Sequence, residues 1–515
     1  MNKKLSLRLL STCVLLSITK IAADSFCCDR SYFYGKTHFS QRPQGNNQAL
    51  VFVGTSDKTH LIDNKENYLN FNISLGYRQN FDSCDIGKYF FTERGPLNVG
   101  IVNTNVDVQN LQLGLASNFK GTAILEPTVK ECLADFDVFI GLDKWVQGLW
   151  GRLRLPFVST SWNPKLSFSN NEVGTSVYPD GFATTSGTAI DVVYRSLDDA
   201  LCDGSPLGQI PALEAGRIGC KKSCYGLSDI HFEIGYDFFR KQRGNMGIAL
   251  VAAAPTGVPT PSNCNRFLFS PSIGSQRSWQ IGAALRGQVE IFNQEANHKR
   301  ITIYGDLRAL HLCKGCNRRL LSLWANDTSA FNYWLILNRY NEQGTFLNTE
   351  RAANLLNKKV KVSAAAMVEF TLMAQMLKDN WDLSIGYNFW SRSQECLTIC
   401  DNCLGNGADY YAIKDPANWG THIYDKTVSD IANENNSLAA NASNLGTYAL
   451  FSGNINPCVA QHPATYSNML FGYLGYNFSK TWLKPYLGVS LQIELGRGNT
   501  ALNMWGAYIK GGISF

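Results

Sequence analysis

One pattern governs what this chain can fold into: short stretches in which apolar and polar residues alternate, returning many times along the sequence. Between Asp229 and Phe239, the residues Ile230, Phe232, Ile234, Tyr236 and Phe238 alternate with His231, Glu233, Gly235 and Asp237. Period two is the mark of an extended strand with two unlike faces. Leu69, Phe71, Ile73, Leu75 and Tyr77 repeat it against Asn70, Asn72, Ser74 and Arg78, and Leu149, Leu153, Leu155 and Phe157 repeat it against Arg152 and Arg154. The series includes LNVGIVN from residue 97 and VQNLQLGLAS from residue 108, and it runs to the terminal NMWGAYIKGGISF. About fourteen segments qualify, within a range of 12–18, and each is close to the 9–11 residues a tilted strand needs to cross a bilayer.

The amino-terminal residues bear on compartment. Lys3, Lys4 and Arg8 precede an apolar run from Leu9 to Ile18, and small residues at 22–23 precede Asp24. This is the layout of a secretory signal peptide over residues 1–23. No later window holds the roughly 18 consecutive apolar residues of a helical span, so a membrane would have to be crossed by strands. Charged residues make up 17% of the chain, against roughly 25% in ordinary soluble proteins. A net charge of +6 over 515 residues, with no basic run, gives no footprint for nucleic acid.

The connections discriminate further. Short links alternate with long ones around 80–95, 118–133, 159–227, 255–277, 313–360 and 393–465. A transmembrane barrel has this asymmetry, with short turns on one side and long extracellular loops on the other. The reading is therefore all-β: an antiparallel transmembrane β-barrel over residues 67–515, preceded by a periplasmic or plug segment over 24–66. An even strand number puts both ends of the barrel on one side.

With the leader, the alternating strands and a final AYIKGGISF ending on Phe515, the chain resembles the Gram-negative outer-membrane β-barrels. That resemblance implies a place in the outer membrane, lipid around the belt, and a terminal aromatic, Phe515, read by the barrel-assembly machinery. Lys510 stands where that terminal signal would carry a glycine. In strand number and in an amino-terminal segment able to enter the lumen, the chain also resembles the long-chain fatty acid transporter family, although that family's Asn-Pro-Ala signature is missing. By resemblance to porins, the implied function is passive passage of small solutes, with a homo-oligomer as a common assembly.

Parity then divides the strands. Ile230, Phe232, Ile234, Tyr236 and Phe238 are expected to face lipid, and His231, Glu233 and Asp237 a wet lumen. The same rule turns Arg78, Arg152, Arg154, Arg286, Arg308 and Arg392 inward with Asp137, Glu290, Asp306, Glu369, Asp382 and Glu494. Mixed signs imply weak ion selectivity, since rings of one sign select ions. Such neighbours also pair, and would then brace the wall.

Cysteines are numerous: fifteen, or fourteen once Cys13 leaves with the leader. Cys84, Cys132, Cys202, Cys220, Cys224, Cys264, Cys313, Cys316, Cys396, Cys400, Cys403 and Cys458 fall in the expected extracellular loops or at strand edges, and none mid-strand. An oxidising compartment makes disulfides between loops the first expectation. The spacings Cys313–Cys316 and Cys400–Cys403 match half-sites of a zinc ribbon, but the same compartment favours oxidation over thiolate ligation, so no metal is expected. By similarity to the cysteine-rich major outer-membrane proteins of some intracellular bacteria, a structural or adhesive surface role with disulfide-bonded loops is the alternative to transport.

Enzymatic signatures are missing. There is no His-Glu-x-x-His and no Gly-x-Ser-x-Gly, and Gly35-Lys36-Thr37 lacks the first glycine of a phosphate-binding loop, since Arg30 occupies that place. Neither a catalytic site nor a cofactor is expected.

Overall fold

The computed structural model describes residues 33–62, 65–101, 106–175, 193–258, 267–323, 331–341, 346–400, 409–414, 455–478 and 482–515. Twelve antiparallel strands form a closed meander in which each pairs with its neighbours in sequence. They are β1 (Asn67–Asn80), β2 (Thr128–Leu142), β3 (Leu149–Asn163), β4 (Ile230–Lys241), β5 (Gly244–Ala254) and β6 (Gln280–Gln294). The second half comprises β7 (Lys299–Leu320), β8 (Asn357–Lys378), β9 (Trp381–Arg392), β10 (Thr465–Asn477), β11 (Tyr486–Gly496) and β12 (Met504–Ser514). Closure comes from β1 against β12, where Ser74 lies opposite Lys510. The chain end joins in: Leu69 and Phe515 exchange both backbone hydrogen bonds, at 2.7 and 3.0 Å. A closed barrel leaves no strand edge unpaired, which is what a strand-built span in lipid requires. Among the described residues, no helix is long and apolar enough to cross a membrane.

The outside of the barrel is an apolar belt. Leu75, Ile234, Leu250, Ile281, Ile385, Leu470, Leu491 and Ile509 are all exposed, each from the outward parity of its strand. Aromatic side chains border the belt at both ends. Phe81, Tyr225, Trp279, Tyr466 and Trp505 are exposed toward the end bearing the long connections, and Trp145, Phe292, Trp381, Phe478, Trp482 and Phe515 at the end with the short turns. Two aromatic girdles around an aliphatic band are the outer surface of a protein held at two membrane–water interfaces.

Two of the expected membrane strands lie elsewhere. Leu97–Gly100 and Val108–Gln109 are short strands in the connection between β1 and β2, where they form a small sheet with Lys120–Leu125 and Leu166–Glu172. A second small sheet joins Ile336–Asn341, Phe346–Arg351 and Asp409–Ile413. These pieces share one hydrophobic core with Tyr89, Phe90, Leu97, Leu197, Trp334 and Leu397, all buried. The long connections thus pack into a cap over one mouth. β7 and β8 run on into it, at 22 residues each. Alternation in Leu97–Gly100 has the same physical origin as in a membrane strand, one face more buried than the other, but Leu97 and Val99 meet the cap core.

Residues 33–62 occupy the barrel interior. Most of them are buried, including the short helix α1 (Gln48–Phe52). Gly54, at φ +70°, closes the turn that follows α1; a Cβ there would stand 2.5 Å from the Tyr473 hydroxyl. Glycine alone meets both demands without strain.

The barrel lumen as candidate functional site

Inward parity on β2, β3, β4, β6 and β7 builds a charged wall. Arg286 pairs with Glu233 at 2.7 Å and with Asp306 at 3.3 Å, and Arg308 pairs with both of the same acids at 2.7 Å. Arg152 approaches Asp137 at 3.4 Å, and Arg154 pairs with Asp135. Asp237 accepts hydrogen bonds from Trp150 Nε1 and meets His60 Nδ1, both at 3.1 Å. Toward the cap, Arg78 donates to Glu494 at 2.8 Å and lies 3.9 Å from Glu131. The wall also presents buried polar atoms without a hydrogen-bond partner in the protein, among them Arg152 Nη1, Arg308 Nη2, Ser490 Oγ and Tyr508 Oη. A surface made to face solvent or solute carries such groups; an apolar core does not.

The other half of the lumen, β8 to β12, is mostly neutral, and α1 packs there. Leu50, Val51 and Val53 share an apolar cluster with Met373, Met469, Phe471, Tyr473 and Tyr508. Asn47 caps α1 by accepting from Leu50 N at 3.1 Å, and its own amide donates to Gln492 at 3.0 Å. At the helix C-terminus, Lys510 Nζ donates to Leu50 O at 2.6 Å and Val51 O at 3.1 Å. Arg42 binds the same half of the wall: it donates to Glu369 at 2.7 Å, Glu494 at 3.0 Å, Asn388 at 2.9 Å and Asn46 O at 2.6 Å. Beside it lies a small cavity bounded by Arg42, Arg78, Glu131, Trp390, Glu494 and Leu502.

The interior segment is tied at both ends. Toward the cap, Gly35 N donates to Phe91 O, Lys36 N to Tyr89 O and Thr37 N to Val459 O, at 2.8–3.0 Å. Phe39 stacks edge-on with Tyr89 and His462. Burial, reinforced by Arg319, pushes the His38 imidazole down to about 3; burial and Arg392 hold His462 well below its usual range. At the short-turn end, Leu61 N donates to the Tyr68 hydroxyl at 3.0 Å and Asn245 to His60 O at 3.0 Å.

Of the inward residues expected from parity, Asp137, Arg152, Arg154, Glu233, Asp237, Arg286, Asp306, Arg308, Glu369, Asp382, Arg392 and Glu494 are buried within the barrel, and Arg78 is nearly so. Glu290 departs from them. It is half-buried where a bulge between Glu290 and Phe292 shifts the β6–β7 register near the short turn. Glu131 and Asp135 share Asp137's parity on β2 and belong to the same wall, a signal already present in the spacing. Lys510 likewise has the inward parity of β12, whereas Arg42, which lies outside the strands, had no such signal.

The cysteines depart from full pairing. Cys84, Cys132, Cys202, Cys220, Cys313, Cys316 and Cys400 are free thiols, and Cys224 is buried. Cys396 and Cys458 are disulfide-bonded, while Cys264, Cys403 and the leader lie outside the described residues. Cys132, Cys313 and Cys316 stand within β2 and β7, because those strands extend beyond the expected loop boundaries. The described part of the cap shares a buried apolar core in addition to these disulfide-bonded cysteines. Among the described residues, no group of three His, Cys, Asp or Glu side chains could hold a metal ion.

No family model and no curated protein matches this chain. Among solved structures it is similar to an outer-membrane channel from Pseudomonas putida F1, at 9% identity over 87% of this chain and 96% of that one, with a TM-score of 0.34. It is similar also to the NanC porin (7% identity, 86% and 98% covered, TM-score 0.28) and to the translocator domain of the autotransporter NalP from Neisseria meningitidis (7%, 91% and 94%, 0.26). Likeness this loose says nothing of solute or mechanism, and the pairing, belt and girdles carry the assignment. The chain is a closed β-barrel with the belt and girdles of a membrane-spanning protein. Its lumen, the place where such a barrel acts, is filled by its own residues 33–62.

Proposed function

We propose that this protein is an outer-membrane channel for passive passage of small solutes, held closed by residues 33–62. The observation that carries this reading is how the segment is held. Inside the barrel it is fixed by side-chain contacts such as Arg42–Glu369 and Lys510–Leu50, and it adds no strand to the wall. A segment held in this way can leave while every ladder hydrogen bond of the barrel stays intact, and it would uncover a polar bore. The paired charges along that bore favour small polar solutes with weak ion selectivity. On this reading residues 1–23 are removed on export, 24–66 are the plug, and 67–515 form the barrel. The capped end faces outward, lipid surrounds the belt, Phe515 serves the assembly machinery, and no enzymatic step is assigned.

A surface structural role is the second reading, favoured by the large apolar core of the cap. Efflux from proteoliposomes loaded with small sugars and amino acids separates the two. A chain lacking 33–62 should release them rapidly and the intact chain slowly. Equal, negligible efflux from both folded proteins would favour the structural role.

A further inference from the structure

The interior segment has a direction. Phe33 lies at the capped mouth, where Asn499 donates to its carbonyl and Arg497 stands 5.5 Å over its ring. From there the chain descends past Arg42 and α1 to His60, which reaches Asp237 near the short turns, and then enters β1 at Asn67. A segment that only folded back into the bore from the short-turn side would begin at that side.

We propose that the chain is threaded once through its own barrel, so that the residues preceding Phe33 are delivered to the outer face of the membrane. The barrel then has a further function, presentation of its amino terminus at the cell surface. This rests on the outward orientation of the cap and the removal of residues 1–23 proposed above.

Reach supports a single pass. With residues 1–23 removed, residues 24–32 remain ahead of Phe33, and nine residues span at most about 32 Å when fully extended. The hydrocarbon layer alone is roughly 25–30 Å deep, and Phe33 is tied above it, against the 497–499 hairpin. A return to the short-turn side would need the full extension of this tail through a bore already filled by Arg42 and α1. Closure fits as well, because Lys510, which holds α1, belongs to β12, the strand that closes the barrel against β1.

Epitope insertion in the full chain tests this. Tags are placed after Asp29, at Asn170 in the cap and at Asn380 in a short turn, with heat-modifiable migration confirming that each barrel has folded. Antibody binding to intact cells, relative to permeabilised cells, should be near one for Asp29 and Asn170 and near zero for Asn380. Binding at Asn170 with none at Asp29 until permeabilisation would overturn the threading while leaving the channel reading standing. Binding at Asn380 alone would overturn the orientation and the presentation with it. The untagged protein gives a second measurement: trypsin applied to intact cells should cut after Arg30 and leave Ser31 as the new terminus. An unaltered terminus on chains cleaved elsewhere in the cap would overturn the proposal.

Discussion

Replacing Arg42 by alanine should loosen the interior segment without harming the barrel. The guanidinium is almost fully buried and bonds Glu369, Glu494, Asn388 and the Asn46 carbonyl. Glu494 keeps Arg78 and Ser467, whereas Glu369 keeps only the Asn388 amide and the Gln48 N–H. Removing one partner of a buried ion pair costs roughly 3–5 kcal/mol, because the other charge is left uncompensated. Here the cost is avoidable: if the segment leaves, both glutamates meet water. The penalty therefore falls on the docked state and not on the barrel, whose ladders do not involve Arg42. Amide hydrogen exchange across residues 42–58, measured on the folded protein in lipid nanodiscs, reads the undocking free energy directly. Those amides should exchange roughly a hundred to a few thousand times faster in Arg42→Ala, with the amides of β1 to β12 unchanged. Unchanged exchange at 42–58 would refute the reasoning, and faster exchange spread through the strands would show that Arg42 supports the wall instead.

Three further outcomes follow from the same contacts. Lys510→Met removes the charged donor from the α1 carbonyls, a loss of roughly 1.5–3 kcal/mol, so exchange within α1 should rise about ten- to a hundredfold; no rise would deny Lys510 its hold on α1. Ile234→Arg places a charge on the lipid face at a cost of roughly 2–4 kcal/mol near the midplane, and should lower the yield of folded barrel; full yield would put the register one residue out. The cap should loosen in acid: unfolded histidines protonate near pH 6.5, but buried His38 and His462, which face Arg319, Arg392, Glu395 and Tyr89, do not until far lower. The unfolded cap therefore binds more protons below about pH 6.5, and each histidine withdraws about 1.4 kcal/mol per pH unit from there down, with that stability fully present above it. Protease resistance of the cap at pH 7.5 should fall by pH 5, and a flat profile, or a fall that persists undiminished in His38→Gln/His462→Gln, would contradict this.

The belt was legible in the sequence because lipid and lumen impose opposite demands on successive residues, and Ile234 and Glu233 answer them in turn. The expected strand number exceeds twelve for the same reason, since Leu97, Val99 and Val108 are buried in a cap core that composition cannot tell from lipid. On β10 the pattern fades: Met469, Phe471 and Tyr473 point inward and Leu470 and Leu474 outward, so both faces are apolar and the surface that receives α1 is invisible. Gln44, Asn46, Asn47 and Gln48 read as an exposed loop, because a polar lumen is matched by polar partners. Lys510 looked like a misplaced residue in a terminal signal until its inward parity and the α1 carbonyls were seen together. Gly235 was legible as inward but not as full: a Cβ there would stand 2.1 Å from the Trp150 ring.

Single-channel recording in planar bilayers puts the central claim to its most direct test, comparing the intact chain with one from which residues 33–62 are excised. A barrel closed by its own segment predicts a silent or rarely opening intact protein and stable, long-lived conductance steps after excision. Equal conductance from the two folded proteins, whether both open or both silent, would contradict it.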